Sequence, residues 1–285
     1  MQYFNRGGEV EITGVSDFDL GKIFECGQCF RWEADDNGVY TGVAFGRVAR
    51  LRSIGNKVFL SGSVEDFEAI WSDYFDLDLD YAKLRENLCI DDFMRCATAY
   101  GAGIRILKQE KWEALCSFII SQNNNIPRIK KIIDVLCQRF GDAIEPGDDA
   151  PSGDASKNKQ YYTFPSAATL AALDAEELAV LRCGYRADYI ISAARAVSSG
   201  EIDLEALSRC SPEDARKALK TLRGVGDKVA DCVLLFGLHM LDAFPLDVWM
   251  KRAVAEHYGT YFDPGIFSPY AGIAQQYIYH YTRTY

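Results

Sequence analysis

The residues of this chain that could do chemistry are concentrated between Ser211 and Trp249. Gly224-Val225-Gly226 reads as a tight turn between two helices. Ser211 and Asp214 supply a capping box for the first helix, with Pro212 at its first position, and Asp227 is placed to cap the second. Glycines allow positive φ and bring bare N–H groups to the surface at a helix N-terminus, an arrangement that binds phosphate without net positive charge. Lys228 follows at once; such a lysine is ordinarily a solvated surface cation, and becomes a nucleophile only as the free amine, which desolvation and the positive end of its own helix favour. Asp247 lies nineteen residues on and fits the N-cap of a helix through Val248-Trp249-Met250. A carboxylate so placed stays ionised. Cys26-Gly27-Gln28-Cys29 fits a redox pair or half a zinc site, yet no second cysteine pair or matching histidine cluster accompanies it. Spacing alone supports a plain αα-hairpin as well as a functional one.

The whole chain has 285 residues, 48% hydrophobic and 25% charged, enough apolar mass for a core and too much for disorder. No apolar run is long enough for a membrane span, and the first residues lack a signal-peptide h-region. Nine cysteines, an odd number, read as reduced thiols, so the expected location is cytoplasmic, and nucleoid-associated in a bacterium. The net charge of −10 argues, taken alone, against a nucleic-acid partner. It is unevenly spread, however. Residues 1–92 carry nine basic and eighteen acidic side chains, whereas 93–140 carry eight basic and three acidic, and 181–285 carry twelve of each. Screening beyond about 10 Å leaves the less acidic surfaces open to a polyanion.

The first sixty residues read as short strands, notably Val39–Phe45, Val48–Arg52 and Val58–Leu60, parted by glycine turns. Apolar residues at 64, 67, 70 and 71 predict a helix, followed by an acidic, aromatic connector from Asp73 to Tyr81. From Asp92 the pattern is helical almost to the end. Trp112 to Ile120 forms one face before Ser121-Gln122-Asn123-Asn124-Asn125 interrupts it, and Pro127 opens the next helix. Residues Glu145 to Tyr161 read as a mobile acidic loop, and helices resume near Ser166, Asp174 and Ala187. The predicted class is α+β: an N-terminal antiparallel sheet domain, 1–92, followed by an all-helical domain pair, 93–285, with the hairpin at 211–240 and a cleft between the helical parts.

The hairpin resembles the helix-hairpin-helix of the base-excision DNA glycosylase superfamily, and Phe244-Pro245-Leu246-Asp247-Val248-Trp249 resembles that superfamily's catalytic aspartate region. Cys26-Gly27-Gln28-Cys29-Phe30-Arg31-Trp32, the Ser121 to Ile129 run, Gly184-Tyr185-Arg186-Ala187 and Tyr270 to Gln275 resemble one branch, the 8-oxoguanine DNA glycosylases. The matches run in family order over nearly the whole chain. The resemblance implies a bifunctional glycosylase and AP lyase. Lys228 would attack C1′ of deoxyribose, displace the base and leave a Schiff base open to β-elimination. Asp247 would stabilise oxocarbenium character at the sugar.

By the same resemblance the flipped base would be read by the Gly27 carbonyl, which accepts from the N7–H that guanine lacks, and by Gln275 on the Watson–Crick edge. Cys232, one turn beyond Lys228, and Tyr279 would stack on its two faces. Asn123, Arg128 and Arg186 would contact the orphaned cytosine, Tyr185 would fill the gap in the stack, and Gly224, Val225, Gly226 and Trp249 would meet the DNA backbone. The plainer alternatives are a turn glycine at 27, a small buried hydrophobe at 232 and a solvated arginine at 128. Two departures stand out: Trp249 replaces the histidine of eukaryotic members, and Tyr279 replaces phenylalanine, so its hydroxyl needs a partner. No cysteine follows Cys232, which excludes the superfamily's iron–sulfur cluster. The resemblance implies no required cofactor, leaves room for a structural cation at the hairpin, and names duplex DNA containing 8-oxoguanine as partner of a monomer. The rivals are a glycosylase of the same fold for another damaged base, against which Lys228 argues, and a non-catalytic DNA-binding hairpin, which needs no lesion pocket.

An acidic protein that holds DNA through main-chain amides and few cations releases few counterions. The slope of log K against log salt for duplex binding is expected to be on the order of −2 to −5. A slope near −10 in a fluorescence-anisotropy titration would contradict it.

Overall fold

The computed structural model describes residues 1–145 and 159–283. Strands β1 (Gln2–Asn5) and β2 (Glu9–Thr13) precede helix α1 (Leu20–Glu25). Strands β3 (Trp32–Ala34), β4 (Tyr40–Ala44), β5 (Arg47–Ile54) and β6 (Lys57–Ser61) follow it. The six strands form one antiparallel sheet in the order β1-β2-β6-β5-β4-β3. Val10 pairs with Leu60, and Leu60 with Leu51. All three are fully buried, because the period of two sends alternate side chains to one face. The extra strands β1, β2 and β3 lie in stretches whose polar or short composition hid them: β1 is exposed throughout and β3 has three residues.

The helix expected from Val64 is present as α2 (Val64–Asp66), a π-helical turn from Phe67 to Trp71, and α3 (Ser72–Tyr74). The π turn rotates Phe67, Trp71, Tyr74 and Phe75 together into the sheet core, so the aromatic part of the expected connector is core. Trp32 stacks on Phe24 there, and its indole N–H donates to the Tyr74 hydroxyl at 2.8 Å.

Helices α4 (Tyr81–Asn87), α5 (Asp92–Tyr100), α6 (Lys111–Ser121) and α7 (Ile126–Phe140) open the helical part. A two-stranded ribbon pairs β7 (Ala143–Ile144) with β8 (Tyr161–Tyr162). Most of the loop expected between them, 146–158, lies outside the described residues. Next come α8 (Ala167–Ala171, capped by Ser166), a 3-10 turn from Glu177 to Leu181, and α9 (Arg186–Ser198). The chain continues through α10 (Leu204–Leu207), α11 (Pro212–Leu219), α12 (Asp227–Phe236), α13 (Val248–Tyr258) and α14 (Ala271–Thr282). Helix α6 is buried at every position from Ala114 to Ile120, so it is a central helix and not the one-faced helix its pattern suggested. It packs on α12 and α9, and α14 packs on α5 and α13.

The two cores interleave. Tyr81, Leu84 and Leu88 belong to the helical core, and Leu107 to the sheet core. Arg105, only 2% exposed, ties them: Nη1 donates to the Asp76 carbonyl at 2.7 Å, and Nε and Nη2 to the Asp17 and Ser16 carbonyls at 2.9 Å each. Its guanidinium also sits 4.6 Å from the Tyr81 ring. Burial pushes its pKa down, against the neighbouring Tyr81, Asp76 and Asp17 groups that push it up.

Arg105→Met would leave the buried Asp76 carbonyl and the part-buried Asp17 and Ser16 carbonyls without their donor, at about 1–3 kcal/mol for the first and less for the other two, so roughly 3 kcal/mol of stability should be lost. Urea unfolding followed by tryptophan fluorescence measures this. A loss below about 1 kcal/mol would show that the carbonyls find other donors.

Candidate active site

The hairpin forms as α11, a turn, and α12. Ser211 caps α11, accepting from the Asp214 N–H at 3.1 Å, with Pro212 at the first position. Gly224 has φ +83°, and a Cβ there would meet the Tyr189 ring at 2.2 Å, so only glycine fits. Gly226 behaves otherwise than expected. It is extended, with φ −94° and ψ −175°, and is itself the N-cap of α12. Asp227 is therefore the first helical residue and not the cap; its carboxylate pairs with Lys220 at 2.5 Å. With glycine at the cap no side chain covers the first N–H groups of α12, and the space beside Gly226 is open. Such a helix end is a site for an anion.

In the first turn of α12, Lys228 is half-buried and faces an open cleft of about 880 Å³. Its lining includes Gly27, Ser121, Asn123, Lys228, Asp247 and Trp249. The Lys228 amine donates to the Ser121 hydroxyl at 3.4 Å and sits 5.5 Å from the Phe118 ring centroid. Cleft lining is shared with a recess of about 50 Å³, walled by Gly27, Lys228, Cys232, Asp247, Gln275 and Tyr279 among others. Four chain segments, around residues 27, 230, 247 and 277, thus bring all the expected nucleophile, carboxylate and base-reading residues to one place. Asp247 is the N-cap of α13, accepting from the Met250 N–H at 2.8 Å. The N-cap reading holds, and the cap fixes the carboxylate at the recess wall.

Gly27 has φ +84°, and its neighbour Gln28 locks it there. The fully buried Gln28 amide donates to the Ile23 and Arg105 carbonyls at 2.9 and 2.8 Å and accepts from the Leu107 N–H at 2.9 Å. Burial pushes the Cys232 thiol up, opposed by the Lys228 amine. Burial also raises the Tyr279 hydroxyl, opposed by Arg283, whose Nη1 donates to it at 3.1 Å. That is the partner the tyrosine needs.

Outside the recess the expected residues divide. Asn123, exposed and left-handed at φ +45°, lies on the cleft; Asn125 caps α7, and Asn124 donates to the Ile120 carbonyl. Arg128 is exposed, with one N–H on the Arg182 carbonyl at 3.2 Å. Arg186 is buried at 6% exposure and holds the loop: it donates to the Gln122, Asn123 and Cys183 carbonyls. Tyr185 and Trp249 are half exposed at 50% and 56%, the latter with Arg252 5.9 Å from its ring. Phe118, Gln276 and Arg283 were not singled out from the sequence, and Gln28 and Ser121 entered only as members of longer runs, with no role of their own. Arg283 alone was accessible to spacing, four residues beyond Tyr279 on one helix. Among the described residues no group of three or more His, Cys, Asp or Glu could hold a metal, and no helix is long and apolar enough to cross a membrane.

Comparison with known proteins follows the same division. Residues 12–115 match the 8-oxoguanine DNA glycosylase N-terminal domain, and residues 116–264 match the HhH-GPD superfamily of base excision DNA repair proteins. A yeast (Saccharomyces cerevisiae) N-glycosylase/DNA lyase is 33% identical over 85% of this chain and 69% of its own length. The structure of MBOgg1 with a low-affinity DNA ligand superposes at TM-score 0.91 with 43% identity, covering 100% of this chain and 99% of that one. The Clostridium acetobutylicum 8-oxoguanine glycosylase/lyase, in complex with duplex DNA carrying cytosine opposite 8-oxoG, superposes at 0.91 with 34% identity over 100% and 98%. The chain belongs to the HhH-GPD base-excision DNA repair superfamily. Within it the protein is a DNA glycosylase of the N-glycosylase/DNA lyase class, with the N-terminal domain of the 8-oxoguanine branch.

Burial decides which thiols react. Cys96 and Cys210 are exposed, whereas Cys26, Cys29 and Cys232 are buried, and burial pushes Cys26 up to about 12. Iodoacetamide at pH 8 should label Cys96 and Cys210 first and leave Cys26, Cys29 and Cys232 protected, as read by peptide mass spectrometry. Rapid labelling of Cys26 and Cys29 would revive the redox reading; rapid labelling of Cys232 would show an open recess.

Proposed function

We propose that this enzyme flips 8-oxoguanine out of duplex DNA, preferably opposite cytosine, and excises it through a Lys228 Schiff base followed by β-elimination. The observation that carries this reading is the single recess that gathers Lys228, Asp247, Gly27, Cys232, Gln275 and Tyr279. Lys228, as the free amine, attacks C1′ while the base departs. Asp247 offsets the positive charge that builds on the sugar, from a position its helix cap holds fixed. Loss of the C2′ proton from the Schiff base then expels the 3′ phosphate.

Base reading follows from donor and acceptor chemistry. The Gly27 carbonyl accepts N7–H of 8-oxoguanine; guanine would set an unprotonated nitrogen against it, at a cost of about 1–3 kcal/mol. Cys232 and Tyr279 sandwich the base and Gln275 meets its Watson–Crick edge. On the far side, Arg128 is exposed enough to donate to cytosine O2 and N3 beside Asn123, and Tyr185 fills the stack. Arg186 commits three of its five N–H donors to the loop carrying Asn123 and a fourth to the Cys183 carbonyl, so it brings at most one of its own to the cytosine. The N–H groups of Gly224 and Gly226 and the exposed Trp249 meet the backbone, with Val225, whose own N–H donates to the Leu222 carbonyl at 3.1 Å, holding the turn between the two glycines. Residues 1–92 serve as the sheet domain and 93–285 as the glycosylase region of a monomer. No step of this route draws on a cofactor. A cation at the hairpin would have main-chain carbonyls as its donors, since no cluster of metal-binding side chains stands there among the described residues.

Single-turnover excision of 8-oxoguanine opposite each of the four bases tests the reading. Wild type should be fastest opposite cytosine. Arg128→Ala should lower the cytosine-to-adenine rate ratio by about 1–3 kcal/mol, the worth of one good base contact, while keeping 8-oxoguanine preferred over guanine. An unchanged ratio would make Arg128 a solvated helix residue.

A further inference from the structure

The side chains that line the recess include one buried polar atom that the route above leaves idle. Gln276 is 3% exposed and lines the recess beside Gln275. Its amide nitrogen donates to the Gln275 Oε1 at 2.8 Å. Its own Oε1 is buried with no hydrogen-bond partner. Among the described residues it is the one such atom on the recess lining. Buried carbonyl oxygens are nearly always satisfied, and an orphan on a side chain that lines a binding recess marks a place where a ligand can bring the donor.

We propose that Gln276 is a second base-reading residue, whose Oε1 accepts an N–H from the 2-amino group of the flipped base. The inference rests on the proposed function, in which the recess receives 8-oxoguanine. Gln275 Oε1 has two lone pairs; Gln276 takes one and the other stays open. The two adjacent glutamines thus offer two acceptors, one on each side chain. A guanine-type edge carries two adjacent donors, N1–H and the 2-amino group, and matches both. An adenine-type edge sets its N1 acceptor and a C–H there, so acceptor meets acceptor. A hypoxanthine-type edge keeps N1–H and lacks the amine, so it satisfies Gln275 and leaves Gln276 orphaned. The bond from Gln276 to Gln275 would alone suit a residue that merely holds its neighbour; the unsatisfied Oε1 is what such a role leaves unexplained.

The two roles separate on a substrate that lacks one amine. Single-turnover excision by the full chain would be measured on duplexes carrying 8-oxoguanine or 8-oxohypoxanthine opposite cytosine, for wild type, Gln276→Met and Gln276→Ala. Wild type should favour the amine-bearing base by about tenfold, the worth of one buried hydrogen bond. Both variants should bring that ratio close to one. Single-turnover rate constants do not depend on how much of a variant is folded, so a weakly folding variant still reports the ratio. Variants that slow both substrates equally, keeping the wild-type ratio, would overturn the inference and leave Gln276 a positioning residue. A wild type inactive on both duplexes would overturn the proposed function itself.

Discussion

Helix α12 must be buried along Val229 to Phe236 and yet open at its first turn, and much of the site follows from that constraint. Its apolar length is held by α6, itself buried from Ala114 to Ile120. The helix therefore cannot slide or roll without exposing apolar surface, at about 25 cal/mol for each Å² uncovered. Lys228 and Cys232, four residues apart on that rigid helix, are fixed relative to each other and to the cleft. Gly226, lacking a side chain, leaves the helix end uncapped, so the same element presents the amine and uncovered main-chain amides within one turn.

The other walls of the recess are brought to α12 by separate devices. Asp247 is pinned by capping α13, and Gly27 by the Gln28 amide, which bonds to both sides of the 105–107 segment. Arg105 anchors that segment in turn to the sheet domain. The contacts of Arg105 with the Asp17 and Ser16 carbonyls thereby bear on the position of Gly27 in the recess wall. Acidity is reconciled with a polyanionic partner in the same way: main-chain dipoles carry no net charge, and the acidic side chains concentrate in residues 1–92.

Local features were legible in the sequence because they depend on neighbours in the chain. The Ser211 cap, the Gly224 turn, Asp247 as a cap and the i to i+4 pairing of Lys228 with Cys232 are of this kind. Features set by partners far along the chain were not. Gln28 bonds to residues nearly eighty positions away, and Arg105 to carbonyls almost ninety away. Ser121 reaches Lys228 across more than a hundred. The N-cap at Gly226 was misplaced because aspartate is the better capping residue by type, whereas backbone geometry put the last non-helical residue one position earlier. Arg186 looked like a base-reading arginine by position, and only its depth shows that most of its donors already hold the Gln122–Asn123 loop.

The central claim is that the Lys228 amine, held at the head of α12, becomes covalently joined to the sugar. Borohydride reduction during incubation with 8-oxoguanine duplex, followed by digestion and peptide mass mapping, measures this directly. The account predicts a deoxyribose-derived adduct on the peptide containing Lys228, and no adduct in Lys228→Gln, which should still bind the duplex through the hairpin amides. An adduct that persists in Lys228→Gln, or that maps to another amine in the wild type, would contradict it.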